Sequence, residues 1–265
     1  MVLLRPFFGF SALWMFLACL AGSGFLVAQS PAPQPGSSVH NDALPVYIEE
    51  FFLSEAVRSE ERGELQATVD SRFFRGQGSA YDGKAADLTL EYGITRRLQA
   101  SLEMPYGIGA TPFSETPVSW SVVSPGVLYQ FILSNHPFAL SAAFNASIPV
   151  NDRAEASYEP ELMIAKGFGK LQIHTSLAPE FSEDESSLAY NVAAVRPLSR
   201  HWIPTLEFNG ARSGGGNSLY LTPGLYTHLP HRLEVGAAIP AGLGGRSNPA
   251  GFIFKMTWEV GGDDD

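Results

Sequence analysis

Four segments of this chain share one grammar: a tight turn, then a strand with apolar residues at mostly every second place, then a proline. They run from Leu98 to Pro105, Phe138 to Pro149, Leu171 to Pro179 and Leu233 to Pro240. Successive side chains of a strand point to opposite faces, so each segment has one greasy face and one mixed face. Proline lacks the N–H that a ladder needs, and at each segment's end it predicts a stop. Repeats of this kind confine the chain to antiparallel hairpins.

From Gly63 onward strand signals recur with little helical periodicity. They place twelve strands near 64–75, 85–93, 97–105, 118–132, 137–149, 157–166, 170–179, 187–196, 201–210, 218–227, 232–240 and 250–260. Connections around Thr95, Asn135, Gly169, Ser199 and Pro230 are brief, and those between them are mostly longer. Strict alternation of short and long connections is the pattern of single-chain outer-membrane barrels. The predicted fold is all-β: a single antiparallel up-and-down transmembrane β-barrel of about twelve strands, within a range of ten to fourteen. Pro125, Pro160, Pro204 and Pro223 fall inside the strands, where a closed barrel has no edge to accommodate them, so bulges are expected there.

The N-terminus divides the rest. Arg5 precedes an apolar run from Pro6 to Leu20 and small residues from Ala21 to Gly24, which predicts a signal peptide over 1–28 with cleavage near Ala28. A retained anchor is the competing reading. Cys19, the one cysteine, lies in this segment, so the mature chain is expected to hold no disulfide. Residues 29–62 read as a periplasmic leader, opening with the Pro-, Ser- and Gln-rich stretch to Asn41. Further on, Leu44, Tyr47, Ile48, Phe51, Phe52, Ala56 and Val57 could form one helical stripe opposite Glu49, Glu50, Glu55 and Arg58. A short helix or plug-like segment and an extended run into the first strand are both open. The barrel takes 63–260, and 261–265 is an acidic tail. A net charge of −10 without a basic stripe excludes nucleic acid as a partner.

On six of the strands one parity is free of charge, as in Leu88 and Leu90, Leu102 and Met104, or Phe254 and Met256. The other carries Asp87, Glu91, Glu103, Glu159, Glu161, His174, Glu207, Glu234 and Lys255, the candidates for a lumen-facing set. Parity alone does not distinguish a membrane barrel from a soluble sandwich with its greasy face packed inward. The export signal, the loop alternation and aromatics near strand ends favour the membrane. An acidic lumen favours cations or polar neutral solutes. Alternatively, these carboxylates bond one another, Lys255 and water, and close the lumen as structure.

Catalysis finds little support. His174 shares a face with Ser176 and Gln172, but no third group orients the pair. There is no metal-ligand spacing, no nucleophile elbow and no phosphate loop, so no enzyme, metal site or cofactor is expected. The expected partners are outer-membrane lipid, the barrel-assembly machinery and a small solute.

The stretch from Glu91 to Tyr106 resembles a hairpin of outer-membrane proteins grouped with the phenol-degradation pathway, as do Arg62 to Gln66 and Ser124 to Tyr129. The resemblance implies a barrel of this size and a role in passage of small molecules, and it brings no catalytic residues. Such barrels commonly end on an aromatic residue read by the assembly machinery. This chain continues past Val260 into Gly261 to Asp265.

Overall fold

The computed structural model describes residues 44–75, 82–108, 119–120, 122–133, 136–150, 155–183, 185–199, 201–214, 216–245 and 250–262. The expected signal peptide with Cys19, the start of the leader, the last residues of the acidic tail and several long connections lie outside them.

Among the described residues there is no helix; every regular element is a strand. The strands are β1 (Glu64–Arg75), β2 (Asp82–Gly93), β3 (Leu98–Ile108), β4 (Val122–Ile132), β5 (Phe138–Pro149) and β6 (Ser157–Phe168). They continue as β7 (Leu171–Ser182), β8 (Ser186–Val195), β9 (Ile203–Ser213), β10 (Gly216–Leu229), β11 (Leu233–Ala238, resumed at Ala241–Gly245) and β12 (Gly251–Gly261). A two-residue stretch, Ser119–Trp120, pairs with β3 as an outlying extension. Each strand pairs antiparallel with its sequence neighbours. The ring closes through β12 on β1, in unbroken register from Glu64↔Gly261 to Phe74↔Gly251. The result is a closed twelve-stranded barrel, a fold that leaves no unpaired edge.

Two of the four segment-ending prolines stop a strand as the pattern predicts, since β5 ends at Pro149 and β11 breaks at Ile239 and Pro240; the other two do not. β3 runs through Pro105 to Ile108, and β7 runs through Pro179 to Ser182. No register shift occurs at Pro125, Pro160, Pro204 or Pro223; the shifts fall at Gln130/Ile132 and Ser218/Tyr220. The reason is that a residue's N–H serves only one of its two neighbouring strands. Pro160 and Pro179 face each other across β6–β7, in the interval between Leu162↔Leu177 and Tyr158↔Phe181 where no pair forms. On their other sides Pro160 pairs with Phe144 and Pro179 with Leu188. Two missing donors are thus placed against each other, and one short gap in one ladder accommodates both.

Polarity across the wall is inverted relative to a soluble protein. Leu65, Val69, Val127, Phe131, Leu162, Phe254, Met256 and Val260 are exposed on the outside. Gln66, Thr68, Asp70, Gln130, Glu207 and Lys255 are buried on the inside. Exposed aromatics form two rows: Tyr92, Phe131, Phe168, Trp202 and Trp258 at the short-turn end, and Phe73, Phe144, Tyr158, Phe181 and Phe252 toward the long-loop end. Tyr158 stacks on Phe181 at 5.2 Å between ring centroids. An apolar band between aromatic girdles is what lipid requires of a barrel wall.

Met256, on the outer face near the middle of β12, tests this wall. M256R is expected to lower stability by about 2–4 kcal/mol in lipid vesicles, because a cation would sit in hydrocarbon. In a water-exposed wall the same change would be near neutral, within about 0.5 kcal/mol. Equilibrium unfolding in vesicles separates the two outcomes.

Candidate functional site

Residues 44–62 run through the interior of the barrel as an irregular strap. At the short-turn end the Leu44 N–H donates to the His136 carbonyl (3.2 Å), and the Gln172 side chain donates to the Pro45 carbonyl (2.6 Å). The strap then reaches β9 to β12. The Phe52 N–H donates to Oε1 of Glu207 (2.7 Å), and the Leu53 N–H donates to Oε2 of the same carboxylate (3.0 Å). The Lys255 ammonium donates to Glu50 (2.7 Å) and to the Phe51 carbonyl (2.5 Å). Returning, the strap's Val57 carbonyl accepts from the Ser141 hydroxyl, Ser59 bonds Gln130, and the Glu60 N–H donates to Gln99 (2.8 Å).

Of the open alternatives the helix is not found, and the apolar residues that could have formed one stripe are shared between two walls. Ile48, Phe51 and Phe52 pack with Ala193, Val195, Ile203, Tyr226, Ala238 and Ile253. Leu44 and Val57 pack with Leu128, Ala139, Ala143, Met163 and Ala165. An extended, looped backbone brings these side chains to opposite sides of a lumen, which one face of a helix could not do. Its polar backbone groups need partners away from water. Many come from the inward amides and carboxylates of the wall.

Beyond the strap lies a cavity of about 300 Å³, lined among others by Asp70, Arg72, Asp87, Glu103, Glu159 and Glu161. The Arg72 guanidinium lies 3.0 Å from Asp70 and 3.2 Å from Asp87. Glu50 and Glu55 of the strap also line this cavity.

The nine charged or titratable residues marked in the sequence fall in these two regions, with Lys255 reaching both. Asp87, Glu91, Glu103, Glu159 and Glu161 border the cavity, and Glu91 accepts from Gln66 (2.6 Å) and Gln99 (2.5 Å). Glu207 and Lys255 hold the strap, and Glu234 accepts from the Glu49 N–H (3.4 Å) while bonding His228 (2.8 Å). His174 bonds Gln172 (3.3 Å) and meets the Phe51 ring edge-on at 4.8 Å. Ser176 takes Asn191 as its partner (3.0 Å). Sequence reasoning missed Asp70 and Arg72, although both share the inward parity of β1. It placed Gln99 and Gln172 on the inward parity without seeing that they join Gln66 and Gln130 in a buried collar of amides at the short-turn end.

Glu60, at the short-turn end, has its carboxyl pushed up to about 8 by burial and then by the Glu64 carboxylate, with Arg58 opposing and Glu259 and Glu50 adding to the rise. The folded chain therefore keeps a proton that the unfolded chain releases near the ordinary carboxylate value. Stability is expected to fall as pH rises from about 5 to 8. E60Q should flatten this part of the profile in chemical denaturation, and an unchanged slope would remove Glu60 as its source.

No family profile matches this sequence, and no curated protein matches it. Solved structures do. An outer-membrane channel of the COG4313 group from Pseudomonas putida F1 is similar at a TM-score of 0.62 and 8% identity, over 77% of this chain and 98% of that one. The KdgM porin is similar at a TM-score of 0.53 and 10% identity, over 73% and 99% of the two chains. The NanC porin is similar at 0.52 and 10% identity, over 73% and 97%. At these identities the likeness is one of fold: this chain shares its barrel fold with these outer-membrane proteins.

Proposed function

We propose that the protein is an outer-membrane channel for small solutes, held closed by its own segment 44–62. The observation that carries this reading is the polarity of the wall, apolar outside and charged inside, around a lumen with its own cavity. Its fold likeness to outer-membrane channels supports it. In this reading a signal peptide directs export, the barrel-assembly machinery inserts the barrel, and lipid covers the outer face.

The solute class follows from the lining. The cavity collects more carboxylates than cations, which favours small cations or polar neutral molecules. Bilayer recordings under a KCl gradient are expected to show small conductance with a reversal potential of cation-selective sign. Anion selectivity would overturn the solute class.

A second reading has an observation of its own. The strap fills the short-turn half of the lumen, which suits a non-conducting structural or solute-binding barrel. A folded, heat-modifiable barrel that never conducts, even when the strap is loosened as described below, would establish that reading and end the channel one.

A further inference from the structure

The strap's grip on β9 to β11 has the chemistry of a ligand in a receptor. Phe52 is fully buried and stacks on Tyr226 at 4.3 Å between centroids, with 26° between the ring planes. Its ring occupies a hollow made by two glycines. A Cβ on Gly224 would lie 2.2 Å from the Phe52 ring, and one on Gly236 would lie 2.5 Å from Tyr226 and 2.9 Å from Phe52. The N–H groups of Phe52 itself and of Leu53 fork onto the two oxygens of Glu207, one donor to each. A ring beside a two-donor fork is what the wall receives.

The fit is incomplete in an informative way. The Thr205 hydroxyl, across the β9–β10 register from Gly224, has no hydrogen-bond partner among the described residues, and neither does the Tyr226 hydroxyl. Both residues are more than nine-tenths buried, at 5% and 1% exposure. A hollow shaped only to hold a phenylalanine would need neither hydroxyl, and a buried polar group without a partner is destabilising. Glu207 is itself fully buried and receives neutral backbone donors, although a carboxylate binds a cationic fork more strongly.

We propose that this hollow is a binding site for an aromatic amidinium or guanidinium cation, and that Phe52 and Leu53 occupy it as an internal mimic. The guest's ring takes the glycine-lined slot against Tyr226, its two N–H donors pair with Glu207, and its remaining polar atoms meet Thr205 and Tyr226. This deepens the channel reading by naming a solute class at the same lumen. It also assigns a trigger: the guest and the strap exclude each other, so binding releases the strap from β9 and β10.

The test uses the full chain in detergent micelles with benzamidinium as the probe, measured by calorimetry. The strap competes with the probe in the wild type, so affinity there is reduced by the fraction of time the hollow is empty. F52A is expected to bind at least about tenfold more tightly than wild type. F52A/E207Q is expected to lose that gain. Guanidinium alone and benzyl alcohol alone are each expected to bind F52A more weakly than benzamidinium. Heat modifiability reports folding, and F52L serves if F52A does not assemble. A folded variant that binds no more tightly than wild type, or a gain that survives E207Q, overturns the proposal. Bilayer conductance is measured separately. Binding without conductance would sink the channel reading and leave the site, and conductance without binding would do the reverse.

Discussion

K255M is expected to destabilise the closed barrel by about 3–5 kcal/mol, the range found when one partner of a buried ion pair is removed. Lys255 is the cation that meets the strap at its deepest crossing. Its side chain is only 6% exposed, and Glu50 is 17% exposed beside it. Burial works against an ionised Glu50, but the Lys255 ammonium, a hydrogen bond with Glu91 and the Arg72 charge together outweigh it and hold that carboxyl below its ordinary value. Without Lys255 the carboxylate loses its counter-charge, and the Phe51 carbonyl loses a donor. Methionine keeps most of the volume, so packing changes little. In bilayers K255M should also raise the frequency of open events, since the strap loses an anchor. E50Q/K255M should recover part of the loss, because the uncompensated charge of Glu50 itself is then removed. Denaturation of purified barrels measures both. A K255M barrel as stable as wild type would show that the pair is solvated rather than structural.

The second large effect is at Glu207. E207A removes the acceptor of two strap N–H groups, one of them on the fully buried Phe52. Each donor left unsatisfied costs about 1–3 kcal/mol, so the pair amounts to about 2–6 kcal/mol. Asn209 and Ser54 also bond this carboxylate at 3.4 Å, contacts long enough to add little. Hydrogen exchange reads the effect at its origin. The amides of residues 52 and 53 should exchange much faster in E207A, while those of β1 paired to β12 stay protected. Equal protection in E207A and wild type would show that packing of Phe52, and not Glu207, fixes the strap. E207Q should fall between, since one oxygen still accepts while its amide opposes the other N–H.

How much of this was legible beforehand depends on the range of the physics involved. Alternation along β12, from Phe252 to Val260 outside and Ile253 to Glu259 inside, is a property of single strands and reads directly from the chain. The strand ends read less well. β2 starts at Asp82 and β3 continues to Ile108, beyond the expected 85 and 105, because pairing with a neighbour extends a strand past its own local signals. Proline was misread in part, at Pro105 and Pro179 and at the expected bulges, for the same reason. Its effect depends on which neighbour its missing N–H would face, as at Pro160 and Pro179.

The strap marks the sharper boundary. Leu44, Ile48, Phe51, Phe52 and Val57 gave a helical period, and the structure spends them on two opposite walls instead. Every inward charge of the predicted set was identifiable by parity, yet nothing in parity separates Glu207, which holds the strap, from Glu103 and Glu159, which border the cavity.

The sequence by itself determined the barrel: hairpin after hairpin, with a two-residue period that assigns each side chain to one face of a wall. That period is local, so it survives without knowledge of any partner strand. Only the tertiary structure decided which face is wet and what fills the interior. Those depend on closure, because a lumen exists only once β12 meets β1, and only then do residues 155 positions apart, such as Phe52 and Glu207, come within hydrogen-bond reach.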